Sequence, residues 1–219
     1  MFEAPANPAT QSATQRVYLQ LRREIIAGAL PPGQRLKVES IKLRHDTGAS
    51  PVREALSLLT SDQLVERIDQ RGFRVAPASR DQFNEILNLR CTLESLALRE
   101  SMTRGDRAWA DNLVLAHHHL GRAGRTDSAV FEELHKRFHM ALLSACNSPI
   151  LLKFCHQLYD LNVRYRFLAG TSKNYQSRDV AAEHQTILDA ALDRDADRAA
   201  AALTEHYRRT GAFLAELIT

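Results

Sequence analysis

Residues 50–76 read SPVREALSLLTSDQLVERIDQRGFRVA, and this stretch decides the fold of the first third of the chain. Behind Ser50 and Pro51, whose residue types are typical of a helix start, apolar side chains recur at helical spacing. Residues 64–68 then alternate like a strand, and a turn that contains glycine leads into a second short strand over 73–75. The stretch predicts a helix followed by a β-hairpin.

Two further helices are predicted upstream of this stretch. Residues 14–28 carry apolar side chains at helical spacing and stop at a glycine, and residues 38–45 form a short helix after a Pro-Pro-Gly turn. The sequence Asp46-Thr47-Gly48 separates this short helix from the next one. Two short helices joined by a tight turn that contains glycine are typical of a helix-turn-helix motif, and the hairpin behind them adds a wing.

Charge is distributed unevenly along the chain. The net charge of the 219 residues is +3, and all of the excess lies in residues 1–78, which hold 11 Lys and Arg against 8 Asp and Glu. Residues 79–219 hold 18 of each and are neutral. This asymmetry favours a nucleic-acid-binding N-terminal module joined to a neutral one.

Composition also indicates the compartment. No apolar run approaches the roughly 18 residues that a membrane-spanning helix needs, and the N-terminus lacks the pattern of a secretory signal. The three cysteines are odd in number and show no CxxC spacing, as is usual in a reducing compartment. We expect a soluble, cytoplasmic protein with no membrane partner.

Proline use separates the two modules. Six of the seven prolines lie in the first third of the chain, so the remainder is free to be almost entirely helical. Capping residues, glycines and Pro149 divide that remainder into six predicted helices, the first of which starts at Ser79. The predicted fold is mainly α: a disordered tail over 1–12, a winged helix-turn-helix over 13–78 and an all-α bundle over 79–219.

The ordered segments of the N-terminal module resemble a known family. PPGQRL (31–36), SPVREALSLLTSDQLVE (50–66) and QRGFRVA (70–76) look like the winged helix-turn-helix of GntR-family transcription regulators. The resemblance implies that the start of the third helix and the tip of the wing touch operator DNA. The residues it points to are Ser50, Pro51, Arg53, Arg71 and Gly72, with Arg35 and Lys37 beside the PPG turn as phosphate contacts.

The chemistry of these residue types suits DNA. The fork of Arg53 can pair with O6 and N7 of a guanine, and the hydroxyl of Ser50 and the first-turn amides suit phosphate oxygens. The alternative for Arg53 is a weak surface ion pair with Glu54 or Glu39. At the wing, glycine lets the backbone approach a phosphate while Arg71 reaches into the neighbouring groove, and an ordinary hairpin turn is the alternative.

Four of the nine histidines fall on predicted inward faces of the bundle. His135 and His139 are four residues apart on one apolar face, and His184 and His206 stand on the inward stripes of the last two helices. Imidazoles from three helices that meet in the bundle interior can hold one metal ion. The alternative for each is a core histidine that is hydrogen-bonded to a neighbour. The consecutive histidines 117–119 splay around their helix and are predicted to be solvated.

The C-terminal module also resembles a known family. LRCTLESLAL (89–98), FHMALLSACNSPIL (138–151) and EHQTILDAALDRDADRAAAAL (183–203) are similar to the FCD effector domain of the FadR subgroup of GntR regulators. In many such domains an Asp and a His four residues apart, with two later histidines, hold a divalent metal beside the effector pocket. Here His135 stands at the Asp position. An all-nitrogen site has one negative charge fewer and favours zinc, or else nickel, over harder ions such as magnesium.

An arginine on an apolar stripe indicates where a small molecule binds. Arg90 falls among apolar residues on the first helix of the bundle, so its guanidinium needs an anionic partner, either Glu94 or the carboxylate of an effector. Asn162 and Arg166 share the inward stripe of a later helix, whereas Arg164 falls on a polar stripe. Because FCD proteins generally answer to small carboxylates, the resemblance implies an effector site at Arg90, Asn162 and Arg166.

These observations predict a transcription regulator, acting as a repressor, whose affinity for double-stranded operator DNA is set by a small carboxylate bound next to a metal ion. One short recognition helix contacts few base pairs, so we expect a homodimer on a pseudo-palindromic operator with half-sites about 34 Å apart. One alternative is a zinc-dependent hydrolase that uses the same histidines, although no HExxH or GxSxG pattern is present. The other is an architectural DNA-binding protein that needs no effector.

Overall fold

Two compact units, divided between Ala78 and Ser79, make up the chain. The computed structural model describes residues 11–123, 128–169 and 179–217. Most of the predicted N-terminal tail, residues 1–10, lies outside the described residues, and a serine at position 12 caps the first helix by accepting a hydrogen bond from the N–H of position 15.

Three helices and a small sheet form the N-terminal unit. The helices are α1 (Ala13–Ile26), α2 (Val38–Arg44) and α3 (Ala49–Ser61), and the strands are β1 (Arg35–Leu36), β2 (Val65–Ile68) and β3 (Gly72–Val75). The sheet is antiparallel in the order β1-β3-β2. Helices α1 and α3 pack on each other through buried side chains, which include Val17, Leu21, Ile25, Val52, Leu56 and Leu59. This arrangement confirms the predicted winged helix-turn-helix.

Helix α3 starts two residues earlier than the sequence predicts. Gly48, not Ser50, is the N-cap, and Ser50 and Pro51 lie inside the first turn. Proline is accommodated there because the first N–H groups of a helix have no partner within the helix. The shift places Ser50 and Pro51 on the helix itself rather than at its cap.

Strand β1 was not predicted. It consists of two residues and pairs with β3 so that Arg35 lies opposite Arg74 and Leu36 opposite Phe73. Two residues are too few to show the alternation by which a strand is detected in a sequence. The pairing fixes the segment that follows the Pro-Pro-Gly turn to the wing.

Six described helices form the C-terminal unit. They are α4 (Arg80–Arg104), α5 (Arg107–Arg122), α6 (Ser128–Leu143), α7 (Pro149–Ala169), α8 (Val180–Leu192) and α9 (Ala196–Leu217). Ser79 caps α4 as predicted, since its side-chain oxygen accepts from the backbone N–H of Gln82 at 3.2 Å. The unit confirms the predicted all-α bundle. None of the helices in the described ranges combines the length and the hydropathy that crossing a bilayer requires.

A glycine lets α9 approach α4 closely. A Cβ atom added to Gly211 would lie 2.3 Å from Cδ2 of Leu87, closer than two carbon atoms can come. Because of this close approach, the turn of α9 that carries His206 and Tyr207 lies near the part of α4 that carries Arg90, whose guanidinium carbon is 4.1 Å from the centre of the Tyr207 ring.

Candidate functional site

The first turn of α3 presents three of the residues predicted to contact DNA. Ser50 and Arg53 are exposed, and Pro51 is half-buried. The carboxylates proposed as alternative partners of Arg53 are engaged elsewhere: Glu54 accepts from a threonine hydroxyl of α1 at 2.8 Å, and Glu39 pairs with a lysine of its own helix at 2.7 Å. Within the described ranges Arg53 takes part in no ion pair, so its guanidinium faces solvent ready for a ligand.

The wing tip presents two more predicted residues. Arg71 lies between β2 and β3, and Gly72 is the first residue of β3; both are exposed. The backbone N–H of Arg71 donates to the carbonyl of Ile68 at 3.0 Å and closes the turn. Gly72 has φ +89°, a conformation that residues with a side chain rarely adopt, so the turn itself favours glycine. Arg35 of β1 and the neighbouring Lys37 are also exposed.

The structure brings the four predicted histidines into one cluster. His135 and His139 come from α6, His184 from α8 and His206 from α9, and all four are buried. Each offers one ligand atom, and these atoms all lie within 4.8 Å of one another. The Nε2 atom of His135 is 3.1 Å from that of His139 and 3.2 Å from that of His184.

Burial favours the neutral form of three of the four histidines. It lowers the pKa of His135 and of His139 well below the usual value, and the neighbouring imidazoles and arginines lower both further. The pKa of His184 falls to about 2 for the same main reason. Neutral imidazoles have a free lone pair, so these three histidines are in the state that can bind a metal ion.

Three of the four histidines have a partner at Nδ1. His135 faces the hydroxyl of Tyr159 at 2.6 Å, His139 the hydroxyl of Tyr207 at 2.9 Å, and His206 a carboxylate at 2.7 Å. A hydrogen bond at Nδ1 fixes the ring and leaves Nε2 available, which is how proteins orient metal-binding histidines. The four histidines could therefore hold a metal ion, with three of the rings oriented by the partners of their Nδ1 atoms.

The carboxylate that holds His206 belongs to Glu183. Glu183 precedes His184 in the sequence and is rotated about 100° from it around α8. Helix α9 lies on that side of α8, so Glu183 meets His206 there. It stands behind the ring of His206, on the Nδ1 side, and therefore not where a hydrolase would need a base beside a metal-bound water.

The three residues predicted for effector binding line one small cavity. The cavity has a volume of about 10 Å³. It is lined by Leu87, Arg90, His135, Asn162, Arg166, His206, Tyr207 and Thr210. Predicted effector residues and predicted metal ligands therefore share one space. A wider surface groove of about 610 Å³ between α8 and α9 contains none of the predicted effector residues in its lining.

Both arginines of the cavity already have carboxylate partners. Arg90 donates to Glu94 through Nε at 2.6 Å and through Nη2 at 3.3 Å, and its Nη1 donates to Asn162 at 2.9 Å. Arg166 donates to Glu132 at 2.5 Å. The ion pair that was the alternative for Arg90 is thus present, and an anionic ligand would have to compete with it.

Two expectations about solvent exposure were wrong in part. Arg164 was placed on a polar stripe of α7, but its exposed fraction is 1%, because residues 161–165 of this helix are buried on every side. Arg164 does not line the cavity. Of the three consecutive histidines, His118 and His119 are exposed as predicted, whereas His117 is half-buried with its ring 5.3 Å from that of Phe138.

Sequence reasoning missed the outer layer of the cluster. No role was assigned to Tyr159, Tyr207 or Glu132 from the sequence. One signal was available, since Tyr159, Asn162 and Arg166 recur at intervals of three and four residues along one helix face. For Tyr207 no such signal exists, because its partners lie on α4 and α6.

A winged helix-turn-helix joined to an all-α unit with a buried polar cavity is the construction of a DNA-binding regulator. The sequence matches the family model described as bacterial regulatory proteins, gntR family, over residues 13–75, and the FCD domain over residues 85–209. The chain belongs to the GntR family of bacterial transcription regulators and carries an FCD domain.

Individual relatives agree with this assignment. The chain is 37% identical to the HTH-type transcriptional regulator BphR of Paraburkholderia xenovorans, over 90% of this chain and 82% of that protein. It is 31% identical to the HTH-type transcriptional repressor GlaR of Escherichia coli, over 86% of this chain and 90% of that protein. Both relatives are described as HTH-type transcriptional regulators.

A solved structure shares the fold. Escherichia coli McbR/YncC superposes with a TM-score of 0.80 and 24% identity, over 94% of this chain and 98% of that one. At this level of identity the likeness shows the fold alone.

Proposed function

We propose that this regulator is a repressor of the FadR subgroup whose operator affinity is controlled by a small carboxylate bound next to a divalent metal ion in the FCD domain. The observation that carries the proposal is the buried cluster of four histidines beside Arg90, Asn162 and Arg166. The repressor role is supported by the description of the relative GlaR as a repressor. A regulator that acts on chromosomal operators works in the cytoplasm.

The donor set fits a nitrogen-preferring metal ion. Two Nε2–Nε2 distances, 3.1 and 3.2 Å, are close to the spacing of about 3.3 Å between two nitrogens held by one zinc ion at about 2.0 Å each. His135, His139, His184 and His206 would hold the ion. All four ligands are neutral, which suits zinc, or else nickel, better than magnesium or calcium. When bound, the ion supplies the positive charge that draws a carboxylate towards the cavity.

The arginines supply the selectivity for an acid. Arg90 and Arg166 can each form paired hydrogen bonds with a carboxylate, and Asn162 can supply a further polar contact. A cavity of about 10 Å³ has room for about one water molecule, so an effector with several heavy atoms must enlarge it. A ligand shifts a conformational equilibrium only when it binds one state better than the other. Here the two states would be the FCD domain with the small cavity and the FCD domain with an enlarged one.

We assign operator contact to the exposed residues of the N-terminal unit. Arg53, in the first turn of α3, contacts the edge of a base. Ser50 and Pro51 of the same turn face the phosphates. Arg71 and Gly72 approach the DNA from the wing, and Arg35 is a phosphate contact. The exposure of these positions and the unpaired guanidinium of Arg53 within the described ranges support the assignment.

We propose a homodimer, because two-fold symmetry doubles the number of base pairs that are read. Apolar side chains on the outer faces of two neighbouring helices support it. On α4, Leu89 and Leu96 are seven residues apart and 43% and 49% exposed, and on α7, Ile150 and Phe154 are 72% and 51% exposed. Helices α4 and α7 pack side by side, so these residues can form one patch that a second copy covers.

Elemental analysis and native mass spectrometry of the purified full chain test the proposal. We expect a dimer with about one zinc ion per subunit, and His139→Ala should lose most of the metal because it removes a buried ligand. His118→Ala is the matched control, since His118 is an exposed histidine on α5 and should leave the metal content unchanged. Full metal occupancy in His139→Ala would refute the metal site, and a metal-free wild-type protein after incubation with zinc would refute it as well.

A further inference from the structure

A chain of buried hydrogen bonds connects one of the clustered histidines to the arginine on the far side of the cavity. The Nδ1 atom of His139 is 2.9 Å from the hydroxyl of Tyr207, and that hydroxyl is 2.5 Å from Oε2 of Glu94. Glu94 in turn accepts two hydrogen bonds from Arg90. All four residues are at least 96% buried, so water does not compete for these bonds.

The direction of each hydrogen bond follows from the role of His139 as a ligand. Its Nε2 atom faces the cluster, so the ring proton must be on Nδ1, where it donates to the hydroxyl oxygen of Tyr207. The hydroxyl of Tyr207 also lies within hydrogen-bond distance of Oε2 of Glu94, and because a carboxylate only accepts, the phenol donates its single proton to Glu94. Arg90, which is always charged, balances the Glu94 carboxylate. Every donor thus has one acceptor.

Such a chain of hydrogen bonds couples the imidazole of His139 at one end to the guanidinium of Arg90 at the other. A carboxylate that accepts from a phenol makes the phenol oxygen a better acceptor, and a better acceptor at Nδ1 makes Nε2 of the same imidazole a better metal ligand. How well Glu94 accepts the hydrogen bond from Tyr207 depends on how Arg90 positions the Glu94 carboxylate. A ligand that draws Arg90 away from Glu94 therefore changes the whole chain.

We propose that Tyr207 and Glu94 are positioning residues that couple the metal ligand His139 to Arg90, so that metal affinity depends on what Arg90 binds. The proposal rests on the proposed function, since it needs a metal at the histidines. It adds a route by which the acid-binding and metal-binding sides of the cavity respond to each other. Coupling of this kind is reciprocal, so the metal would change the affinity for the acid by the same factor.

Zinc affinity in a double-mutant cycle tests the coupling, with zinc alone as the probe and a coloured chelator as competitor. Tyr207→Phe removes only the hydroxyl and should weaken zinc binding by about 10- to 100-fold, as loss of an outer partner usually does. Arg90→Lys keeps the charge but loses the fork that fixes the position of Glu94, so Glu94 accepts less well from Tyr207 and zinc binding should weaken, by less than in Tyr207→Phe. In the Tyr207→Phe background, Arg90→Lys should have no further effect, because the chain is already cut.

Control variants distinguish a specific effect on zinc affinity from a general loss of folding. Tyr165→Phe removes another buried hydroxyl, which donates to Gln82 at 2.8 Å, and should leave zinc affinity as in the wild type. Glu94→Gln keeps the shape of the side chain and should lower zinc affinity in the same direction as Tyr207→Phe, which provides a second variant if Tyr207→Phe does not fold. Thermal unfolding of each variant in chelator establishes that it is folded before zinc is added.

The outcomes are distinguishable. If the wild type binds no zinc, both this proposal and the metal part of the proposed function fail. If the wild type binds zinc and neither Tyr207→Phe nor Glu94→Gln weakens it, the positioning role is overturned while the metal site stands. If Arg90→Lys has the same effect in both backgrounds, the connection to Arg90 is overturned.

Discussion

The side chain at position 135 sets the charge of the histidine cluster. In the resembling FCD domains an aspartate stands at this place, whereas His135 is neutral because burial lowers its pKa. The ring of His135 contacts the cluster through Nε2, and its Nδ1 lies 2.6 Å from the hydroxyl of Tyr159 and 3.3 Å from Nη1 of Arg166. A single residue therefore decides whether the site is anionic or neutral.

His135→Asp should change which metal the site prefers. An aspartate restores a hard oxygen ligand with a negative charge, and its second oxygen can accept a hydrogen bond from Tyr159 or Arg166. We expect the affinity for Mn²⁺ relative to Zn²⁺ to rise at least tenfold, a change of about 1.4 kcal/mol. Competition titrations with both metals on both proteins measure the ratio, and an unchanged ratio would show that residue 135 is not a ligand.

Helix α4 carries residues of two proposed sites, one on its inner face and one on its outer face. Its inner face carries Arg90 and Glu94, which are buried, and its outer face carries Leu89 and Leu96, which are exposed. A buried charged pair among the apolar residues of the inner face and two exposed leucines on the outer face both depart from the usual amphipathic pattern. Both departures have a proposed use, the inner one for a ligand and the outer one for a second copy of the chain.

Leu96→Glu should weaken dimerisation. An unpaired carboxylate buried in an apolar interface costs well over 1.4 kcal/mol, so the dimer dissociation constant should rise by at least about tenfold. Val114→Glu is the matched control, because Val114 of α5 is 46% exposed and lies outside the patch of α4 and α7. Sedimentation velocity at several concentrations measures the effect. If both variants dissociate like the wild type, the α4 patch is not the interface.

Helices with a periodic pattern and the short α2, β2 and β3 were predictable, whereas the two-residue β1 and the burial of the middle of α7 were not. The apolar stripes of α1 and α3 identify those helices in the sequence, whereas β1 has only two residues and leaves no pattern. The burial of Arg164 was unpredictable for a different reason. Residues 161–165 of α7 are enclosed on all sides, and periodicity describes a helix with one buried face only.

At the scale of the whole molecule, the inward stripes of three helices predicted that His135, His139, His184 and His206 meet, and the structure brings these four together. The sequence did not predict which residues form hydrogen bonds with them. The hydrogen bond between Tyr207 and Glu94 joins residues that are 113 positions apart in the chain. The one between His206 and Glu183 joins residues that are 23 positions apart. Such contacts depend on how the helices pack, which local patterns do not specify.

Selection of binding sites from a pool of random duplex DNA, with the full chain and with Arg53→Ala, is the most direct test of the account. The wild type should enrich a pseudo-palindrome whose half-sites are about 34 Å apart. Arg53→Ala should lose the preference at one position of each half-site, at a cost of about 1–3 kcal/mol, because one arginine pairs with one guanine. Enrichment of no symmetric site, or an equal loss on all DNA in the variant, would contradict the account.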